Sequence, residues 1–217
     1  DALPISLCVL GILYKQSGNT NDAIKVYDEG LSVTRSNKLE NAEAHLLTNY
    51  GLLYTDLSFY DSAFLYLSRA LKIFERHGDT LAMGAVYNGI AHVYLDMDNY
   101  TSSKEYLLKT LRIYERTKNA KLIADVYTNI AINYYVLKDV KTALLYDMKA
   151  CKLYEQSGDT IDIAALYQNI GVCYYAVKKR DSALYWYSRA LHKARLAGNV
   201  QVQASALLDI GDIWYDA

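Results

Sequence analysis

The sequence predicts an all-α fold, a solenoid in which a helical hairpin recurs five times and the first helix of a sixth hairpin follows. A small residue returns at one constant interval, at Gly11, Gly51, Ala91, Ala131, Gly171 and Gly211. Shortly after each stands an aromatic residue, at Tyr14, Tyr54, Tyr94, Tyr134, Tyr174 and Trp214. Such a period, held without insertion, is typical of repeat architectures. Proline, which breaks helices, occurs once, at Pro4.

Each cycle of the repeat contains two predicted helices. In the third cycle, apolar residues recur at helical spacing at 81, 87, 90 and 94, and again at 106, 107, 111 and 114, with Asp98-Asn99 between the two runs. Three cycles end with a glycine that can terminate a helix, followed by residues that can begin the next one. These sites are Gly78-Asp79-Thr80, Gly158-Asp159-Thr160 and Gly198-Asn199. We therefore predict a single domain over 1–217, with repeats at 1–38, 39–78, 79–118, 119–158 and 159–198 and a partial repeat at 199–217. Because the pattern continues to the last residues, we expect a fragment of a longer protein.

Two further columns of small residues complete the pattern. They follow the first column at fixed offsets, at Ala23, Ala63, Ser103, Ala143 and Ala183, and at Gly30, Ala70, Thr110, Ala150 and Ala190. This arrangement resembles the tetratricopeptide repeat, with Tyr87, Tyr127 and Tyr167 at the place of the family's tryptophan. The long period is similar to that of kinesin light chains, polarity adaptors and the sensor regions of bacterial histidine kinases and transcription regulators. The resemblance implies a right-handed solenoid whose first helices line a concave groove.

The composition argues against several classes of partner. Lys and Arg number 23 against 24 Asp and Glu, so bulk charge does not favour nucleic acid, and no stretch is long and apolar enough for membrane insertion. The three cysteines, Cys8, Cys151 and Cys173, form no CxxC pair and are expected to be isolated thiols. The localisation stays open between cytoplasmic and, for a bacterial sensor region, periplasmic.

Asparagines mark the predicted groove. When the first small residue of each repeat is numbered position 8, the resemblance implies that positions 2, 5, 6, 9, 12 and 13 face the groove. Asn49, Asn129 and Asn169 then occupy position 6, and Asn88 occupies position 5. An asparagine amide both donates and accepts hydrogen bonds, so it can hold a ligand's main chain whatever its side chains. The alternative is that each asparagine bonds its own helix or a neighbouring one.

Aromatic and apolar residues join these asparagines. Tyr135 and Tyr175 occupy position 12, where a tyrosine offers a large contact area with little loss of entropy. Ile132 and Val172, at position 9, would form an apolar floor, and His92 shares that position. The alternatives are ordinary packing between repeats for the tyrosines and a partly exposed polar side chain for His92.

The charges of the predicted groove suggest the nature of the ligand. They are mostly acidic, from Asp56, Asp96, Asp125, Asp209 and Asp212 against Lys15. The lysines and arginines with which chaperone-tail binders of the family hold a carboxylate are absent. We therefore expect a neutral to mildly basic protein or peptide partner. No catalytic, metal-binding or phosphate-binding motif is present, so we expect neither a cofactor nor an enzyme.

A row of cations occupies position 26, at Arg69, Lys109, Lys149 and Arg189. One interpretation is an anion or nucleic-acid site on the convex side. The favoured interpretation is a solvated face, in which the cations oppose the helix dipole and Glu75, Glu115 and Glu155 pair with a second row at Lys72, Arg112 and Lys152.

The combined pattern predicts a non-catalytic scaffold that binds an extended peptide or a partner helix. The resemblance implies the sensor region of a bacterial signalling regulator as one setting for such a scaffold. The alternative is an architectural module that self-associates, for example as a homodimer through its exposed end.

Overall fold

The computed structural model describes residues 2–157 and 162–215, and these residues form eleven helices. In chain order the helices are α1 Ala2–Gln16, α2 Thr20–Ser36, α3 Glu40–Asp56, α4 Tyr60–His77, α5 Thr80–Asp96, α6 Tyr100–Thr117, α7 Ala120–Val136, α8 Val140–Ser157, α9 Asp162–Ala176, α10 Arg180–Leu196 and α11 Val200–Tyr215. Five successive pairs, α1–α2 to α9–α10, are followed by α11. The prediction of an all-α solenoid with five hairpins and one further helix is confirmed. The turn predicted at Gly158-Asp159-Thr160 lies outside the described residues.

Residues in the left-handed backbone region recur in the turns that follow the helices. Glycine occupies three of these places, at Gly18, Gly78 and Gly198, and other residues occupy six, at Lys38, Ser58, Asp98, Lys118, Lys138 and Lys178. The chain then reverses with a hydrogen bond that closes the last helical turn, as where the amide of Asp139 donates to the carbonyl of Tyr134 at 2.9 Å. The sequence pattern identified only part of this series, because lysine, serine and aspartate adopt this conformation at a cost that glycine avoids.

Side-chain caps begin several of the helices. The side chain of Asp79 accepts a hydrogen bond from the amide of Ala82 at 2.9 Å, and that of Asn119 accepts one from the amide of Leu122 at 3.2 Å. These bonds satisfy amides that have no partner within the helix. The turns therefore stabilise both the helix that ends and the helix that follows.

The small residue at position 8 makes room for a large side chain on the second helix of the same hairpin. A β-carbon built on Gly11 would lie 2.2 Å from the Tyr27 ring, and one built on Gly171 would lie 2.5 Å from the Tyr187 ring. In both hairpins, the large partner occupies position 24. In these two hairpins, the small residue at position 8 is therefore explained by its contact with the large residue at position 24.

The many tyrosines stack within the hairpins. In the second, third and fourth hairpins, the tyrosine at position 11 lies against the tyrosine at position 23 on the second helix. Ring centroids are separated by 5.3 Å for Tyr54–Tyr66, 5.6 Å for Tyr94–Tyr106 and 5.8 Å for Tyr134–Tyr146. Aromatic pairs at such distances add stability beyond the area they bury. Packing inside these three hairpins therefore explains the aromatic residues that they carry at position 11.

The cations of position 26 lie at the surface, as the sequence predicted: Arg69, Lys109 and Lys149 are exposed and Arg189 is half-buried. Lys109 Nζ lies 4.4 Å from the Tyr106 ring centroid, and the Arg189 guanidinium lies 4.3 Å from that of Tyr167. Arg189 also pairs with Glu155 at 3.3 Å, whereas the sequence predicted Lys152 as the partner of this glutamate. A cation above an aromatic face is held by the ring's quadrupole. These cations therefore lie at the surface and contact aromatic rings of the hairpins.

The chain divides within α6 into two compact units, Asp1–Ile113 and Tyr114–Ala217. We call them unit 1 and unit 2. The core of unit 1 includes the fully buried Tyr27, Leu46 and Leu67. The core of unit 2 includes Leu166 and Ile170. No helix in the described part of the chain is both long enough and apolar enough to span a bilayer.

Candidate functional site

A cavity of about 210 Å³ lies in unit 2, between the first helices α7 and α9, with α8 behind them. We call it the α7–α9 pocket. Its lining consists of Ala131, Ile132 and Tyr135 from α7, Asp147 from α8, and Asn169, Val172 and Cys173 from α9. Four of the nine predicted site residues, at positions 6, 9 and 12, thus line one cavity.

The lining changes character between mouth and base. Ile132, Tyr135, Asn169 and Val172 are half-buried, so they form the accessible part of the pocket. Ala131, Asp147 and Cys173 are each only 2% exposed and form the base. The pocket therefore presents apolar walls, one amide and one phenol around a buried carboxyl group. Small ligand-binding cavities commonly combine apolar walls with a few polar groups in this way.

Asp147 stands at a repeat position that is otherwise filled by a large side chain. It occupies position 24, where the other four hairpins carry Tyr27, Leu67, Leu107 and Tyr187. In the fourth hairpin the position 8 residue is also small, Ala131. Two small residues therefore meet where each other hairpin has at least one large side chain. Sequence reasoning missed Asp147, although comparing the five residues at position 24 would have singled it out.

The carboxyl group of Asp147 is only partly satisfied. Its Oδ2 accepts a weak hydrogen bond from the Cys173 thiol, with the sulfur 3.8 Å away. Its Oδ1 is buried and has no hydrogen-bond partner among the described residues. Burial raises the pKa of Asp147 to about 7 and that of Cys173 to about 12, the latter with a contribution from the neighbouring carboxylate. The thiol therefore remains a neutral donor, and the carboxyl group titrates near neutral pH.

The predicted asparagines have different surroundings. Asn169 lines the α7–α9 pocket. Asn49 lies in unit 1, where its amide nitrogen donates to the carbonyl of His45 at 3.0 Å and to the Cys8 sulfur at 3.3 Å. Asn49 thus makes the bonds within its own and the adjacent helix that the sequence analysis gave as the alternative. It also borders a cleft of about 310 Å³ between α1 and α3.

Two more asparagines, Asn88 and Asn129, are half-buried on the first helices of unit 1 and unit 2 respectively. The main-chain carbonyl of Asn129 accepts a hydrogen bond from the side chain of Asn133 at 3.1 Å. Asn133 is 1% exposed and therefore belongs to the core. Neither Asn88 nor Asn129 lines the α7–α9 pocket. Their role in ligand binding stays a prediction.

Tyr175 lies apart from the pocket. It packs against the cluster that contains Tyr187 and Ile213. It also borders an open depression with Lys178 and Arg180 at the end of α9. The two tyrosines at position 12 therefore have unequal surroundings, since only Tyr135 reaches the pocket.

His92 belongs to a polar cluster on the first helices of unit 1. Lys15 and Asp56 form an ion pair at 2.9 Å, and Asp96 lies near His92. Burial lowers the pKa of His92, an effect that Asp96 partly opposes, and burial raises the pKa of Asp96. These groups largely interact with one another.

Other acidic residues of the predicted groove also bond within the protein. The Tyr154 hydroxyl donates to Asp125. The Gln168 amide donates to Asp209 at 2.9 Å. Within the described part of the chain, no three His, Cys, Asp or Glu side chains converge as metal ligands would. Asp147 therefore differs from these acids in two respects: it lines a cavity, and its buried Oδ1 has no hydrogen-bond partner among the described residues.

The repeated hairpins, with a pocket between their first helices, define a helical-repeat scaffold for protein interactions. A family model described as Tetratricopeptide repeat matches residues 40–116 and 82–156, and a second model of that description matches residues 5–37. Because these matches cover more than half of the chain, the protein belongs to the tetratricopeptide repeat family. Members of this family are generally non-catalytic scaffolds.

Solved structures share this fold at low sequence identity. BtubC (BKLC) from P. vanneervenii has a TM-score of 0.73 at 22% identity over 92% of this chain and 83% of its own. A Rap protein complexed with Competence and Sporulation Factor has a TM-score of 0.85 at 18% identity, over 95% of this chain and 61% of its own. A third similar structure is the STAND signal-transduction ATPase PH0952 from Pyrococcus horikoshii, which has a tetratricopeptide repeat sensor. Its TM-score is 0.79 at 18% identity, and the match covers 95% of this chain and 32% of the ATPase. No curated protein matches the chain with significance.

Proposed function

We propose that the protein is a non-catalytic scaffold whose first helices hold an extended peptide or a partner helix. In this proposal the α7–α9 pocket receives one side chain of the ligand. The main support for this proposal is that four predicted site residues line one cavity, namely Ile132, Tyr135, Asn169 and Val172. A single buried anchor surrounded by less demanding contacts is a common basis of protein recognition.

The chemistry of the pocket suits a peptide segment. Asn169 at its rim offers a donor and an acceptor, the two groups that a peptide main chain complements. Tyr135 adds a rigid amphipathic surface, and Ile132 and Val172 add apolar contact. The volume of about 210 Å³ is below the roughly 300 Å³ at which pockets for drug-sized ligands begin, so it suits one side chain.

The charges favour a neutral to mildly basic ligand. Asp147 lies at the base of the pocket, and the cysteine next to it is neutral. An acidic ligand side chain would bring a second carboxylate close to the first, which is unfavourable at low dielectric. Within a longer protein, we propose that the array acts as the sensor region of a signalling regulator. The resemblance of its long repeats to such sensor regions supports that role.

Peptide capture provides the test. Immobilised wild-type protein is expected to retain members of a random peptide display library. Replacing Asn169 by alanine is expected to lower the affinity for the retained peptides at least about tenfold, because a buried hydrogen bond to the peptide is lost. The measurement is the dissociation constant of selected peptides, determined by calorimetry for wild type and variant.

The control replaces an asparagine outside the pocket. Asn21 is exposed on the second helix α2, so Asn21→Ala is expected to leave the peptide affinity unchanged. Asn129→Ala, alone and combined with Asn169→Ala, measures whether the predicted ladder extends beyond the pocket. Equal affinity of wild type and the double variant would exclude the ladder from the mechanism.

Self-association is the alternative function, and the exposed apolar side chains of α11 favour it. Leu208 and Trp214 are each 70% exposed. If these side chains form an interface, light scattering will show a mass that rises with concentration above the 24.6 kDa of one chain. Leu208→Glu should then restore the monomer, because a charge would be buried in the interface. A constant mass of one chain would contradict the alternative.

A further inference from the structure

We propose that Asp147 makes the α7–α9 pocket a site for a primary alkylammonium group, which the partner supplies as a lysine side chain. This inference deepens the proposed function and rests on it for the identity of the partner. It begins from the buried carboxyl group at the base of the cavity, which is 2% exposed and has one oxygen without a hydrogen-bond partner among the described residues. Buried polar groups are normally satisfied, so this oxygen calls for a donor from outside the chain.

The position of the carboxyl group in the repeat indicates a specific role. Leucine at position 24 would fill the same space, as Leu67 and Leu107 do at 0% and 1% exposure in their own hairpins. A buried carboxyl group with an unpaired oxygen costs stability that leucine would not. Departures of this kind from an otherwise consistent repeat are expected at functional sites.

The surroundings of Asp147 leave a cation as the complementary ligand. The titratable groups near its carboxyl are Cys173 on α9, Tyr135 on α7 and Cys151 on α8 itself, with Tyr187 of α10 next to Cys173. Thiols and phenols carry no positive charge in either protonation state. Once Asp147 ionises, the pocket therefore holds a negative charge that no described neighbour neutralises.

The geometry favours an ammonium over a guanidinium group. Oδ2 of Asp147 already accepts from the Cys173 thiol, which leaves Oδ1 as the oxygen without a hydrogen-bond partner among the described residues. Guanidinium groups gain most from a carboxylate that offers both oxygens, whereas an ammonium acts as a compact point charge. The apolar walls formed by Ile132 and Val172 suit the methylene stem that precedes a lysine ammonium. The cavity thus combines apolar walls for the methylene stem with a carboxyl group at its base for the ammonium group.

Protonation couples to binding at this site. Because burial raises the pKa of Asp147, the carboxyl group is partly neutral near pH 7 in the empty pocket. An ammonium stabilises the ionised form, so its arrival displaces the proton and lowers the pKa of Asp147. Ammonium affinity should therefore increase as the pH rises through neutrality.

The test uses n-butylammonium chloride as a probe for the lysine side chain, with n-butanol and n-butylguanidinium chloride as matched compounds. The full chain is observed by NMR, with the carboxyl carbon of Asp147 as reporter. We expect n-butylammonium to lower the titration midpoint of this carboxyl group and to bind more tightly than either other compound. Asp147→Asn, which keeps the size and polarity of the side chain, should lower the affinity for n-butylammonium at least about tenfold. A loss of this size is expected when a hydrogen bond to a charged group is removed. Asp181 is an exposed acid on α10, so Asp181→Asn should leave the affinity for the probe unchanged.

Three results would overturn the proposal. They are equal binding of n-butanol, unchanged n-butylammonium binding by Asp147→Asn, and a titration midpoint that the probe does not move. The peptide library separates this inference from the proposed function. Peptides that bind but show no preference for lysine over acetyl-lysine would reject the lysine anchor and keep the scaffold. If n-butylammonium binds at Asp147 while no peptide is retained, the cation site stands and the peptide scaffold fails.

Discussion

Replacing Asp147 by leucine is expected to raise the free energy of unfolding by about 4 kcal/mol at about pH 8. The variant removes a carboxyl group that is 2% exposed and fills the adjoining cavity with the residue that two other hairpins carry at the same place. The gain corresponds to the shift of the Asp147 pKa from the ordinary value of 3.8 to about 7. Urea denaturation of both proteins at several pH values measures it.

The pH dependence identifies the cause of the gain. In the unfolded chain Asp147 releases its proton near the ordinary pKa of 3.8, whereas in the folded chain it keeps the proton up to about 7. Between these values the folded state binds the additional proton, so this group makes wild-type stability fall as the pH rises, until the loss is complete above the folded pKa. The leucine variant lacks this component. The difference between the two proteins should therefore widen between about pH 4 and pH 7 and then stay constant.

An exposed acid supplies the control for this experiment. Asp181 lies at the solvent-facing start of α10, so Asp181→Leu is expected to change stability by no more than about 0.5 kcal/mol. Stability curves of wild type and Asp147→Leu that run parallel over the whole pH range would show that the carboxyl group is not buried as described. Loss of n-butylammonium binding together with the gain in stability would link the cost of Asp147 to its proposed role.

Replacing Gly171 by alanine is expected to lower the free energy of unfolding by about 1 to 2 kcal/mol. The new β-carbon would lie 2.5 Å from two atoms of the Tyr187 ring, which is itself 2% exposed and cannot easily move. Alanine favours the helix over glycine by about 1 kcal/mol, and the steric conflict has to exceed that gain. Chemical denaturation of wild type and variant measures the net change.

Two companion variants isolate the steric cause. A β-carbon on Gly211, at the same repeat position, would meet no atom within 4 Å, so Gly211→Ala should raise stability by about 0.5 to 1 kcal/mol. The double variant Gly171→Ala with Tyr187→Leu reproduces the natural pair Ala91 and Leu107. Its loss should be smaller than the sum of the two single losses, because each change makes room for the other. Additive losses would contradict the proposed contact.

Much of the architecture was accessible from the sequence. The column from Gly11 to Gly211 predicted the hairpins, and the helices begin and end close to the expected places. Helical periodicity and turn residues are local signals, so they can be read without knowledge of packing. Position numbering by resemblance also selected Ile132, Tyr135, Asn169 and Val172, which line one pocket. Their part in ligand binding remains the prediction that the peptide experiment tests.

The content of the site depended on the tertiary structure. In the sequence Asp147 is distinguished only as the acid among the large residues of position 24, and its packing beside Ala131 and Cys173 places it at the base of a cavity. Arg189 likewise gains the Tyr167 ring as a partner only when α9 and α10 meet. The sequence by itself determined the period, the helices and the family. Which side chains are buried, and where two small residues leave a space, was decided by contacts between helices, because volume and burial are properties of the packed hairpins.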